Sequence, residues 1–195
     1  MQALLIVDPQ NEFSPCGKRA VEGFNEAVQV IELRVKEARK KGNPIAWVRH
    51  FNKAEETPAF IPGSWGADYI DGFGPKKGDD NEKEFLKNVY GAFTGSDIGE
   101  WLDFLNVKEL LIVGFYTHRC VSTTTREAIM RGYSVFIDPE GTSTFAMEYT
   151  GLGKLSAAEA RRSALLHLVS MGAQIDSVES VMILQRILFS GAFFL

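Results

Sequence analysis

Two residues of this chain are reactive types in positions that packing does not explain: Asp8, which ends the run "ALLIVD", and Cys120, in "LLIVGFYTHRCVSTTTREA". A packing cysteine belongs inside an apolar run, whereas Cys120 follows the break at Gly114 and stands among polar residues where a helix begins. In the first turn of a helix, a sulfur meets unpaired backbone N–H groups and the positive end of the dipole. These favour the thiolate, and the same amides can hold an oxyanion. Thr117 is placed to cap this helix. An aspartate within reach of the thiol would accept its proton. Each residue also has a plainer reading: Cys120 as a small, inert, partly buried side chain, and Asp8, in Asp8-Pro9, as a turn residue that caps backbone amides.

An alternation of strands and helices would carry these two residues to one place. "ALLIVD" (3–8) reads as a central strand covered on both faces. Phe24, Ala27, Val28, Ile31, Val35 and Ala38 recur at helical spacing over 25–41, and Gly42-Asn43-Pro44 stops the pattern. "PIAWVRH" (44–50) is a second strand, and the Gly-, Pro- and charge-rich residues 51–80 form a long surface excursion. Then follow an extended piece at 84–89, a helix over 97–105 and the strand "ELLIVGF". A helix over 120–131, a strand over 133–139, a loop through Gly153, a helix over 156–171, a short strand near "AQI" and a last helix from Val178 complete the chain.

This pattern predicts one domain, 1–195, of the α/β class: a three-layer α/β/α, doubly wound, mainly parallel six-stranded sheet with Rossmann-like order 3-2-1-4-5-6. Such sheets bind ligands at the carboxyl ends of their strands, where the order reverses, here between the first and fourth strands. Asp8 ends the first strand and Cys120 follows the fourth, so carboxylate and thiol should converge there.

Composition narrows the function. With a formal charge of -4 and basic residues scattered except at Lys76-Lys77 and Arg161-Arg162, the chain has no general attraction to nucleic acid or an anionic membrane. "MQALLIVDPQ" lacks the positive region and apolar length of a secretory signal or membrane span, so a cytoplasmic location is expected. Cys16 and Cys120 form no disulfide framework and no Cys/His cluster is present; both thiols are expected free, and Cys16 is assigned no role. The end, "ILFSGAFFL", is expected to cover an apolar groove on this chain or a second subunit, and His167 to lie in a core or interface.

"VDPQNEF", "FLKNVYGAF" and "GFYTHRCVSTTTREA", in this order and at these distances, resemble the isochorismatase-like cysteine hydrolases, which include nicotinamidases, N-carbamoylsarcosine amidohydrolases and ureidoacrylate amidohydrolases. The resemblance runs from Ala3 to about Leu184 and takes in "PGSWGA" and "AQIDSVESV". It implies a catalytic triad of Asp8, Lys87 and Cys120, with Gly114, Thr117, Cys120 and Val121 meeting the family's G-x-x-T-x-x-C-V pattern. It further implies a cis peptide joining Phe115 to Tyr116, which would turn the Tyr116 amide toward an oxyanion beside the Cys120 amide. By family position Phe13, Trp65, Phe93 and Tyr116 would line a substrate pocket; His50 either touches substrate or is structural.

The implied activity is hydrolysis of a small amide or ureido C–N bond through a thioester. Isochorismate-type vinyl ether hydrolysis, which has no use for the thiol, and a non-catalytic binding protein are the alternatives. Nicotinamidases carry an Asp-x-His cluster and a further histidine after the second strand, whereas "VRHFNKAEE" offers His50 alone; no metal and no cofactor are therefore expected. Relatives of this kind are commonly dimers or tetramers, so a homo-oligomer is expected.

Overall fold

The computed structural model describes residues 1–53 and 55–177. β1 (Gln2–Val7) has five of its six residues buried, as expected for a strand covered on both faces. Helix α1 (Phe24–Lys41) ends at Gly42, and β2 (Ile45–His50) pairs with β1 in parallel. β3 (Glu82–Lys87), α2 (Ile98–Phe104) and β4 (Glu109–Phe115) follow, and β4 pairs with the other side of β1. The remaining elements are α3 (Ser122–Met130), β5 (Ser134–Ser143), the hairpin β6 (Met147–Tyr149) and β7 (Gly153–Leu155), α4 (Ala157–Ser170) and β8 (Gln174–Ile175). All pairs in the main sheet are parallel and its order is β3-β2-β1-β4-β5-β8, the predicted 3-2-1-4-5-6 with β8 as sixth strand.

The pleat of β1 separates two cores. Leu4 and Ile6 pack with Ala27, Ile31 and Val35 of α1; Leu5 and Val7 face Leu102 of α2, Ala128 of α3 and Leu168 of α4 on the opposite side. Among the described residues, one helix on one face and three on the other give the three layers. At the reversal point β1 and β4 come very close: Gly114 has φ +122°, and a Cβ there would lie 1.9 Å from the Val7 carbonyl oxygen. The glycine that ends the apolar run is thus what lets the two central strands touch beside the site.

Several elements differ from the sequence reading. The extended piece expected at 84–89 is a full six-residue edge strand that begins earlier and ends on Lys87. β5 continues to Ser143, past Pro139, because a shift of register between Ile112 and Gly114 lets its far end pair again with β4. The loop expected through Gly153 contains the β6–β7 hairpin. α4 begins as expected, with a Ser156–Glu159 capping box, and His167 on it is exposed rather than in the core, its ring bonded among the described residues to the Ser163 carbonyl of its own helix. The helix expected from Val178 and the segment "ILFSGAFFL" lie outside the described residues. No described helix is long and apolar enough to cross a membrane.

The excursion between β2 and β3 has little regular structure: a short turn at Trp65–Ala67 and one bridge, Gln10 to Tyr69. It is fastened by a fully buried side chain. Gln10 donates to the carbonyls of His50 (2.9 Å) and Ala67 (2.8 Å) and accepts from the His50 amide (2.7 Å), tying the ends of β1 and β2 to the excursion.

Candidate active site

Asp8 leaves β1 with φ 54°, a left-handed conformation that turns its side chain out of the strand pattern. Its amide donates to the Val48 carbonyl at 2.9 Å, which fixes that turn against β2. Lys87 is the last residue of β3, and Cys120 lies in a single π-helical turn, Thr117–Val121, between β4 and α3. The carboxyl ends of three strands therefore deliver the three groups, and Asp8, Lys87 and Cys120 are all buried.

Lys87 stands at the centre. Its Nζ donates to Asp8 Oδ2 at 2.8 Å and lies 3.4 Å from Cys120 Sγ and 3.4 Å from His50 Nδ1. Asp8 Oδ1 is buried and has no hydrogen-bond partner of ordinary geometry among the described residues. Burial works against the charge on Lys87, but Asp8 and Cys120 outweigh it and hold its pKa above the usual lysine value. Burial pushes the Cys120 thiol up to about 12, with the Asp8 charge adding to the rise and Lys87 opposing it. Burial, then Lys87, lowers the pKa of His50, so its ring is neutral at pH 7.

Burial and the neighbouring carboxylate oppose the thiolate that a helix start alone would favour, since Cys120 precedes α3 in the π turn and is almost fully buried beside Asp8. Thr117, expected as a helix cap, instead bonds Thr142 Oγ1 of β5 at 2.9 Å, because the π turn places the start of α3 five residues later, at Ser122. The Phe115–Tyr116 peptide is cis.

A cavity of about 130 Å³ opens over Asp8 and Cys120. Phe13, Phe60 and Tyr116 wall it, with the Phe13 ring 5.2 Å from Phe60 and edge-on to Tyr116 at 4.9 Å. His50 lines it as well, together with Asn52 and Thr57, and Arg19, Tyr90 and Arg119 stand on its more open side. Trp65 and Phe93 are not part of it. Trp65 is 55% exposed, because its turn faces outward while its carbonyl accepts from Asn11. Phe93 is drawn under α3, where its amide donates to Glu127, and it packs in the opposite core near Tyr133. Sequence reasoning missed Arg19, Asn52, Thr57, Phe60, Tyr90 and Arg119; only Arg119, adjacent to the cysteine, carried a usable signal.

The place after β2 that holds metal ligands in nicotinamidases does not fit a divalent cation here. His50 Nε2 is 2.8 Å from Asn52 Oδ1, its Nδ1 faces the Lys87 ammonium, and Asn52 Nδ2 donates to Thr57 Oγ1 and the Ala59 carbonyl at 2.7 Å each. Both ring nitrogens are engaged, and the nearest charge is positive. Among the described residues no group of three His, Cys, Asp or Glu could hold a metal ion.

Residues 2–178 match the isochorismatase domain. Nicotinamidase 3 of Arabidopsis thaliana is 32% identical over 158 residues, covering 75% of this chain and 75% of that protein. The nicotinamidase/pyrazinamidase of Mycobacterium tuberculosis is 27% identical over 190 residues, 87% of this chain and 98% of that one. Among solved structures, an isochorismatase from Pseudomonas putida KT2440 aligns with a TM-score of 0.82 at 29% identity, over 92% of this chain and 89% of that one.

Proposed function

This chain belongs to the isochorismatase family and is a hydrolase, and on that premise we propose that it cleaves a small amide or ureido C–N bond through a thioester on Cys120. Asp8 takes the thiol proton as the sulfur attacks the carbonyl carbon, and the C=O electron pair moves onto oxygen. The Tyr116 and Cys120 amides, assigned by the family resemblance, hold that oxyanion. Its collapse breaks the C–N bond, and Asp8 returns the proton to the departing ammonia or amine. Water, deprotonated by Asp8, then attacks the thioester; the carbonyl reforms, the C–S bond breaks, and the sulfur recovers the proton.

The observation that carries this reading is the single ammonium shared at 2.8 Å with Asp8 and 3.4 Å with Cys120. Because burial pushes the thiol pKa up, proton transfer to Asp8 accompanies attack, and Lys87 neutralises negative charge whichever group bears it. Asp8 Oδ1, left unpartnered, is the oxygen that receives the proton. Nicotinamide is a weaker substrate choice, since the region after β2 does not fit a metal. Vinyl ether hydrolysis would leave the thiol without a task.

A screen of small amides, ureido acids and carbamoyl compounds for ammonia release tests the proposal. Cys120→Ser and Asp8→Asn should each reduce kcat/KM by roughly 10³-fold or more, and rapid quenching should trap an acyl adduct on Cys120. Activity that survives both substitutions would overturn it.

A further inference from the structure

We propose that His50 is a positioning residue for this reaction: its bare Nδ1 takes the third hydrogen of the Lys87 ammonium and so holds that cation between Asp8 and Cys120; this deepens the amidohydrolase reading and rests on it.

An ammonium has three N–H donors, and Lys87 meets three acceptors: Asp8 Oδ2 at 2.8 Å, Cys120 Sγ at 3.4 Å and His50 Nδ1 at 3.4 Å. The contact with Asp8 is charge-assisted and draws the cation toward the carboxylate. Anchored there alone, Nζ would be free to turn away from the sulfur, so the other two contacts fix where it points. The sulfur is the acceptor that changes during the reaction, first giving up its proton and then becoming part of a thioester. Only His50 can keep the ammonium in place through those changes. The two longer contacts are those of a site without substrate, where catalytic hydrogen bonds are often long.

Whether His50 can accept depends on its tautomer, and the neighbouring atoms decide that. The Ala59 carbonyl is an acceptor only, so the Asn52 atom 2.7 Å from it is the amide nitrogen. The other end of that amide is then Oδ1, again an acceptor only, 2.8 Å from His50 Nε2. Nε2 must therefore carry the ring hydrogen, and in a neutral ring Nδ1 keeps a lone pair that faces Lys87. Burial, then Lys87, lowers the His50 pKa and keeps the ring in that neutral form. The ring is braced as well: it stands perpendicular to the Phe60 ring at 5.2 Å, and Gln10 holds the His50 amide and carbonyl. A backbone carbonyl of the excursion thus orients an amide, the amide sets a tautomer, and the tautomer places the cation. The region after β2 that does not fit a divalent metal has this task instead.

Two readouts test this without turnover. The chain has three histidines, so comparison with His50→Asn assigns the His50 signals in nitrogen NMR of isotope-labelled protein. At neutral pH Nε2 should be protonated and Nδ1 bare, and the opposite tautomer would overturn the proposal. Iodoacetamide alkylation of Cys120, with exposed Cys16 as internal reference, should slow by about tenfold in His50→Leu, where the cation that favours the thiolate loses its hold. His50→Asn, whose Oδ1 offers an acceptor near the Nδ1 position, should recover to within about threefold of the parent. In ammonia release His50→Leu should lower kcat by a similar factor, with KM within about threefold. A raised KM at parent kcat would make His50 a substrate contact, and equal losses in both variants that follow a fall in urea midpoint would make it structural; either overturns the proposal. Unchanged alkylation in a folded His50→Leu protein overturns it too and leaves the Cys120 nucleophile standing. The expected tautomer and alkylation rates without ammonia release from any amide would overturn the amidohydrolase reading while upholding the hold of His50 on Lys87.

Discussion

Two aspartates of this chain follow apolar runs with the same local sequence, Asp8-Pro9 after "LLIV" at the end of β1 and Asp138-Pro139 after "SVFI" within β5, and both are fully buried against a cation. Their surroundings differ in what is left unused. Asp138 Oδ2 accepts from Arg34 Nε at 2.7 Å and Oδ1 accepts from the Glu140 amide at 3.1 Å, while Arg34 also reaches Glu37 and Asp176 with its other nitrogens. That cluster joins α1 to the middle of β5 and the end of β8, and both Asp138 oxygens are occupied. Asp8 has one oxygen on Lys87 and the other without a hydrogen bond of ordinary geometry among the described residues, and Lys87 lies close to both the carboxylate and a thiol. A buried ion pair is therefore not in itself a sign of catalysis. What sets the Asp8–Lys87 pair apart is hydrogen-bonding capacity left over, beside a thiol and open to a cavity.

Substitutions at the two pairs should separate these roles. Of the two cations, the larger effect on turnover is expected from Lys87→Met, which leaves Asp8 buried without its cation: kcat/KM should fall by about 10²- to 10⁴-fold. Adding Asp8→Asn should restore urea stability toward the parent without restoring ammonia release, and recovery of both would make the pair merely structural. Arg34→Met should reverse the pattern, lowering unfolding free energy by about 3–5 kcal/mol, the cost of an uncompensated buried charge, while kcat/KM stays within about threefold. A catalytic defect in a fully folded Arg34→Met protein would erase the distinction.

A smaller effect is expected at His118, on the site's turn. Burial, then Arg119, lowers its pKa to about 4, and its buried Nε2 has no partner among the described residues while Nδ1 meets Thr144 Oγ1. The unfolded chain binds this proton near pH 6.5 and the native state only near 4, so the unfolded state holds more protons between them and stability falls as pH drops through that window. In His118→Gln, urea midpoints at pH 6.5 and pH 4.5 should lie closer together than in the parent. An unchanged difference would assign the acid sensitivity to another group, His50 being the next candidate.

The legible part of the molecule was the part governed by local periodicity. The runs at 3–8 and 109–115, the helical spacing over 24–38 and the breaks at Gly42 and Gly114 carry the strand order, because burial on both faces leaves a near-continuous apolar signature. β3 was legible only in part. As an edge strand it reads "EKEFLK", half charged, and its length is set by pairing with β2 rather than by its own pattern. Trp65 and Phe93 were misplaced for a related reason: an aromatic residue in a Gly- and Pro-rich stretch has no period to say which way it faces.

What the sequence by itself determined is that a carboxylate and a thiol end the two central strands of a parallel sheet, since alternation and right-handed crossovers force those ends together. Tertiary structure alone decided the burial of the thiol, the wall of the cavity and the partner of each buried cation. Those properties depend on distances between segments 30 to 110 residues apart, such as Lys87 to Cys120 and Arg19 to Tyr116, and on exclusion of water from them. Charge and hydrogen-bond energies change steeply over a few ångströms and with local dielectric, and no sequence spacing records either.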